Sequence, residues 1–406
     1  MTRVLVVGSG GREAALAQVL GRTADEVVVT PGNPGIPGST GPGPDPGDIE
    51  ADLVVVGPEV PLVAGLADRL RARGRLVLGP GADGARLEGS KAWMKDVLEA
   101  AGVPTARSAA FTEPAPAVAF LRTLGPPYVV KTDGLAAGKG VLVTPDRGEA
   151  EADVRAKLAG TSFGEAGRTV VIEEGLVGRE LSLLAVCDGE RAVPLAPARD
   201  HKRVGDGDTG PNTGGMGAFS PVPGVSDGLV GEVMERAVLP TLAVLRRRDV
   251  DYRGVLYAGL MLTEEGPKVI EFNVRFGDPE AQVVLPRLRT DLVALCAEAA
   301  AGRLRTEPSF TDEAAVTVGC ASKGYPTSST AGDVIDGVEA AAALPGVSVH
   351  CAGVDRDGDG RLVTAGGRVL FVTALGPDVG TARQRAYDAV DRVSFPGMHF
   401  RKDIAA

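Results

Sequence analysis

Four short apolar runs, at 3–7, 27–30, 53–56 and 76–78, alternate with stretches of helical character at 12–20 and from Glu59 through 73. Strands that lie side by side in one direction need a crossover between them, usually a helix, so this alternation restricts the N-terminal part to a parallel sheet with crossover helices. Residues 31–49 break the pattern. They are nearly all Gly, Pro and small polar residues, which reads as a loop with no room for a strand-plus-helix unit.

Downstream, helices are expected at 89–101, 115–124, 149–158, 230–248, 291–301 and 382–390. Strands are expected at 169–173 and 180–187, and residues 255–262 and 267–272 pair as a hairpin around Glu264-Glu265-Gly266. Residues 199–221 are a long loop dense in Gly and Asp, and beyond about 310 the chain is strand-rich. At 406 residues the chain exceeds a single core. The expected division is an N-terminal α/β domain at 1–89, a central domain at 90–310 with a mobile lid at about 108–175, and a C-terminal α+β domain at 311–406.

A net charge of −10 and a pI near 5.1 argue against nucleic acid or an anionic membrane as partner. The cysteines, Cys187, Cys296, Cys320 and Cys351, are scattered without a CxxC pair. They read as reduced thiols of a cytoplasmic protein. His201, His350 and His399 lie too far apart to suggest a His/Cys metal cage. No apolar run has membrane-spanning length, and the opening residues read as strand and turn, not a signal peptide.

Three stretches imitate known sites. GSGGRE, at 8–13, resembles the dinucleotide fingerprint but ends in Glu13 where glycine is needed, and the second strand ends in Thr30-Pro31 without an acidic residue for a ribose. What remains is a Gly loop before a helix, suited to an anion such as phosphate. GLAAGKGV has three residues between its glycines and Gly140 after Lys139, so it is not a phosphate loop of the GxxxxGK[ST] kind. The run at 355–360 starts like a calcium loop, but its twelfth position is Gly366 where a bidentate Glu is required, so a hairpin turn is expected.

Other stretches point to phosphate chemistry. Lys131 ends an apolar strand, and Lys139 rides a loop between Gly138 and Gly140. One fixed and one mobile cation suit a polyphosphate. Glu173 and Glu180 flank a turn and could accept from an adenine amino group or ribose hydroxyls. Glu271 and Asn273 stand two apart on a strand, so they share a face, and a carboxylate with an amide oxygen makes hard-cation ligands. Arg275 continues that spacing toward a phosphate or carboxylate.

Together these residues resemble an ATP-grasp ligase, and more narrowly the glycinamide ribonucleotide synthetase family. The blocks that carry the resemblance are GSGGRE, VGPEVPLV, LEGSKAWMK, VVKTDGLAAGKGV, DHKRVGDGDTGPNTGGMGAFSP, LYAGLM, IEFNVRFGDPE, GGRVL and RKDI. They run in order over nearly the whole chain.

The resemblance implies ATP, glycine and 5-phosphoribosylamine as substrates, an acyl-phosphate intermediate, and Mg²⁺ as metal with Mn²⁺ as alternative. It implies Glu271 and Asn273 as metal ligands. Lys91, Lys131, Gly138, Lys139 and Gly140 would hold the ATP phosphates, and Glu173 and Glu180 would sit near adenine and ribose. Lys202 and Arg275 would face the transferred phosphoryl and acyl groups. Gly10, Gly11, Arg12, Glu59, Asp208 and Asp278 would take the other substrates. The expected protein is a monomer, with a dimer as alternative.

The chain departs from the family pattern at Ala14, where histidine is usual, at Gly175, Val274 and Ala281, and in the loop at 31–47, where the family has a further strand and helix. These departures keep a second reading open, a related ATP-grasp ligase with a different amine or acid.

Overall fold

In the computed structural model, which describes residues 1–135, 140–160 and 168–406, the first four apolar runs lie in one parallel sheet. Its order is Glu26–Pro31, Arg3–Gly8, Leu53–Val56, Val77–Leu78. Helix Gly11–Leu20 makes the first crossover. The second is the Gly/Pro segment, in which a short 3₁₀ turn at Pro46–Asp48 is the named helical element. The helix expected from Glu59 to 73 is two, Glu59–Val63 and Leu66–Ala72, because Gly65 between them takes φ +76°. The helix expected at 89–101 starts later. Ser90 is extended, its Oγ caps the Trp93 N–H at 3.1 Å, and it separates Ala82–Gly89 from Lys91–Ala101.

Two antiparallel sheets follow. One has the order Ser108–Phe111, Val170–Glu174, Tyr128–Thr132, Val141–Thr144. Helices Pro114–Leu121 and Arg147–Leu158 cover it through Val118, Leu121, Val154 and Ile172, a core cluster of its own. The other is built on the long strands Arg179–Asp188, Arg253–Thr263 and Gly266–Asn273, the last two forming the expected hairpin. Its faces join the main cores with residues of the N-terminal sheet and the C-terminal part.

The segment expected to be a loop at 199–221 carries regular pairing. Arg203–Gly205 and Thr209–Asn212 form a small hairpin. Arg199–Asp200 and Gly217–Ser220 enter a five-stranded sheet with Ala314–Ala321, Arg368–Gly376 and Val347–Cys351. The run at 355–360 is a hairpin turn, as expected, between Val354–Arg356 and Leu362–Thr364. Helix Val379–Val390, capped by Asp378, packs on that five-stranded sheet. Among the described residues no helix is long and apolar enough to cross a membrane.

Candidate active site

Two adjoining cavities, of about 470 and 410 Å³, lie against the strand Gly266–Asn273 and share Glu271 and Lys202. The strand alternation places Glu271 and Asn273 toward the first, where both line the wall.

The second cavity sits between the strands Tyr128–Thr132 and Val141–Thr144 and the central hairpin. Val129, Val143, Leu181 and Met261 give it an apolar part, and Lys131, Glu180 and Lys202 a charged one. Lys131 is buried, with Nζ 3.0 Å from Glu173 Oε1 and 3.2 Å from the Ile270 carbonyl. Glu173 is also buried and takes Lys95 Nζ at 3.3 Å on its other oxygen. Its carboxyl is thus committed to two lysines, and it lines the cavity together with the neighbouring Glu174–Leu176 segment and Glu180. Burial lowers Lys95 to about 8, against the pull of Glu173.

Lys202 donates to Glu180 Oε2 at 2.6 Å and to Asp200 Oδ1 at 2.7 Å. Burial works against its charge, yet the two carboxylates hold it well above the lysine range. Lys202 in turn holds Glu180 below the usual carboxylate range, while burial pushes Asp200 up to about 7. Of the two carboxyls that crowd this ammonium, Asp200 is the one that keeps a proton more readily. Gly140 lines the first cavity. Gly138 and Lys139 lie outside the described residues.

The first cavity is walled by alternating charges. Arg275 donates to Glu88 Oε1 at 2.8 Å, to Asn273 Oδ1 at 3.1 Å and to Glu59 Oε2 at 3.2 Å. Glu88 also accepts the Val274 N–H at 2.8 Å, and burial raises its pKa. Burial opposes the charge of Glu59, but Arg275 and Arg12 hold it below its ordinary range. Asp278 is likewise held low against burial by Arg368 and Arg12. Arg368 reaches it from the C-terminal sheet, with Nη2 2.7 Å from Oδ2 and Nη1 on the carbonyls of Gly214 and Gly215. Lys91 donates to the Gly134 carbonyl at 3.1 Å, and burial lowers its pKa while Glu271 opposes that.

Three of the expected substrate residues do not line the first cavity. The Gly10 N–H is taken by Glu13 Oε2 at 2.6 Å. Gly11 is buried, and a Cβ there would lie 2.7 Å from the Phe371 ring. Of that loop only Arg12 lines the cavity, steadied by Glu13 and the Phe276 carbonyl. Asp208 lines the second cavity, not the first, and pairs with Arg401. Sequence reasoning missed Glu88, Lys95 and Arg368, although each lies in or beside a quoted block. Glu88 and Lys95 flank the Lys91 that was singled out.

Glu271 differs from the other acidic groups here. Among the described residues its carboxylate makes no ion pair or hydrogen bond, and it faces both cavities. No cluster of three His, Cys, Asp or Glu that could hold a metal occurs among the described residues. One unpaired carboxylate plus an amide oxygen fits a small hard cation that takes its remaining ligands from phosphate and water.

Family models for phosphoribosylglycinamide synthetase match in order, the N domain at 2–88, the ATP-grasp (A) domain at 89–281 and the C domain at 315–406. The phosphoribosylamine–glycine ligase of Streptomyces coelicolor is 50% identical, with 100% of this chain and 99% of that protein covered. The crystal structure of the Thermotoga maritima phosphoribosylamine–glycine ligase superposes with a TM-score of 0.86 at 35% identity, covering 99% and 100% of the two chains. The biotin carboxylase domain of Hydrogenobacter thermophilus 2-oxoglutarate carboxylase, solved with MgADP and bicarbonate, shares the fold at 17% identity and a TM-score of 0.70, with 98% and 91% covered. With its N, ATP-grasp and C domains matched in order and half its residues shared with a curated relative over its full length, the chain belongs to the phosphoribosylglycinamide synthetase family of ATP-grasp ligases.

Proposed function

We propose that this chain joins glycine to 5-phosphoribosylamine with ATP, giving glycinamide ribonucleotide, ADP and phosphate for purine biosynthesis. The observation that carries the reading is the pair of joined cavities around Glu271, a partly apolar one that holds Lys131 and Lys202 and a polar one between arginines and carboxylates. The first kind suits a nucleotide with its phosphates, the second a small zwitterion and a sugar phosphate.

The steps follow from that division. A glycine carboxylate oxygen attacks the γ-phosphorus, the bond to the bridging oxygen breaks, and ADP leaves. The amine nitrogen of phosphoribosylamine then attacks the acyl carbon, phosphate departs, and the nitrogen gives up a proton. Neither step needs a side-chain nucleophile, so catalysis is positioning and charge neutralisation. Lys91 and Lys131, with Gly138, Lys139 and Gly140, hold the phosphates. Lys202 and Arg275 face the transferred groups, Arg275 aimed by Glu88 and Glu59. Arg12, Glu59 and Asp278 take the amine substrate. Glu271 and Asn273 hold Mg²⁺, which when bound neutralises charge on the phosphates.

The described part of 108–175 serves as a lid, because its core is separate from the other two. We place the protein in the cytoplasm as a monomer; its four cysteines are buried and free.

The test is ADP release from Mg-ATP, glycine and freshly generated phosphoribosylamine, with product mass read by mass spectrometry. Turnover with the glycinamide ribonucleotide mass is expected. Nucleotide binding without that product would move the reading to a ligase for another amine or acid.

A further inference from the structure

The small hairpin beside the nucleotide cavity is gripped at its tip, residue by residue, by three consecutive residues near the end of the fold. Pairing of Gly205 with Thr209 leaves Asp206, Gly207 and Asp208 at the tip. Arg401 Nη1 donates to Asp208 Oδ1 at 2.7 Å, the Lys402 N–H donates to Asp206 Oδ1 at 2.8 Å, and the Gly207 N–H donates to Asp403 Oδ2 at 2.8 Å. Arg401 also reaches the Arg203 carbonyl at 3.1 Å, and His399 Nε2 lies 2.8 Å from the Val204 carbonyl.

The grip is built from a committed side chain. Arg401 is 1% exposed, and its fork is fixed first on Asp403, at 2.7 and 2.6 Å. Asp208 has φ +54° and Gly207 +65°, the left-handed backbone of a tight hairpin turn. The hairpin is also the wall of the site, since Arg203, Asp208 and Asn212 line the nucleotide cavity. Lys202 stands at its root, its carbonyl taking the Thr213 hydroxyl at 2.8 Å.

We propose that Arg401, far from the chemistry in sequence and touching no reacting atom, is a positioning residue for phosphoryl transfer: with Lys402 and Asp403 it sets where the hairpin and Lys202 meet the nucleotide. The proposal rests on the ligase reading above. It assigns the C-terminal segment a part in ATP use, distinct from merely closing the fold.

The test compares Arg401→Met, Arg401→Lys and Asp206→Ala with the unaltered protein. The readouts are steady-state kinetics for each substrate, thermal melting, amide hydrogen exchange and calorimetric binding of Mg-ADP. Asp208 and Asp403 are 58% and 29% exposed in their side chains, so water can serve them once the guanidinium is gone. Arg401→Met should melt within a few degrees of the unaltered protein.

The expected result is a fall in kcat/KM for ATP of roughly 10- to 100-fold in Arg401→Met. The KM for glycine should stay nearly unchanged, with faster exchange confined to 203–212. Arg401→Lys should recover part of the loss. Asp206→Ala, which removes a tip contact outside both cavity walls, should move the same parameter in the same direction.

Unaltered kcat/KM for ATP in Arg401→Met overturns the proposal. So does an equal loss for ATP and glycine with exchange faster throughout the chain. If Arg401→Met does not fold, Asp206→Ala decides, and an unchanged kcat/KM for ATP there overturns the proposal. If the unaltered protein binds Mg-ADP but yields no glycinamide ribonucleotide, the ligase reading fails. Weaker Mg-ADP binding in Arg401→Met then still upholds the positioning role, and equal binding ends it.

Discussion

At the scale of single residues, most charges of the site are paired, and among the described residues the carboxylate of Glu271 is not. Glu271→Ala should abolish turnover and the Mg²⁺ dependence of nucleotide binding while leaving thermal melting nearly unchanged, because no ion pair is lost. Wild-type turnover would refute the metal assignment. Arg12→Ala should raise the KM for phosphoribosylamine at least tenfold more than that for ATP, since Arg12 lines only the first cavity; an equal rise for both substrates would refute that role. The placement of Glu271 and Asn273 on one face was legible from their spacing, because strand geometry alone determines it. The partners of Arg275 were not. Glu59 and Glu88 meet it across more than 180 residues of chain, and no local pattern encodes such a meeting. Glu173 shows the converse. Its position at a strand end was readable, but the lysines that consume its charge come from two different elements.

At the scale of elements, periodicity located strands and helices well where local chemistry agreed with it. The misses have local causes, such as the positive φ of Gly65 and the cap at Ser90. The segment at 199–221 hid its strands because Gly and Asp are poor strand formers, and tertiary pairing with Ala314–Ala321 overrides that preference. The sheet of the proposed lid gives a prediction at this scale. Ile172 is fully buried in a cluster that shares no residue with the other two. Ile172→Ala should therefore cost about 2–5 kcal/mol locally. Hydrogen exchange should show lost protection in the lid sheet, with Arg253–Thr263 still protected, and Mg-ADP affinity should drop. Uniform loss of protection would show that the lid is not a separate unit.

For the whole molecule, burial holds His201 and His350 near 4, below the ordinary histidine value. The unfolded chain therefore takes up these protons first as the pH falls. The stability they contribute is present above about 6.5 and lost between about 6.5 and 4, on the order of 3 kcal/mol apiece. The melting temperature should fall over that window, and His350→Gln should flatten part of the fall; an identical slope in the variant would remove His350 from the account. One consequence of the five-stranded sheet concerns synthesis. A nascent chain that has passed Asp278 already carries every residue proposed to touch ATP, the other substrates or metal. Yet the strand Gly217–Ser220 still lacks Ala314–Ala321, and the hairpin tip still lacks residues 401–403. On the ribosome the residues proposed to touch substrates are therefore all present long before the wall around them, with Arg368, is built. Ribosome-held fragments ending before residue 314 should expose an open sheet edge and depend on chaperones until the remaining strands arrive.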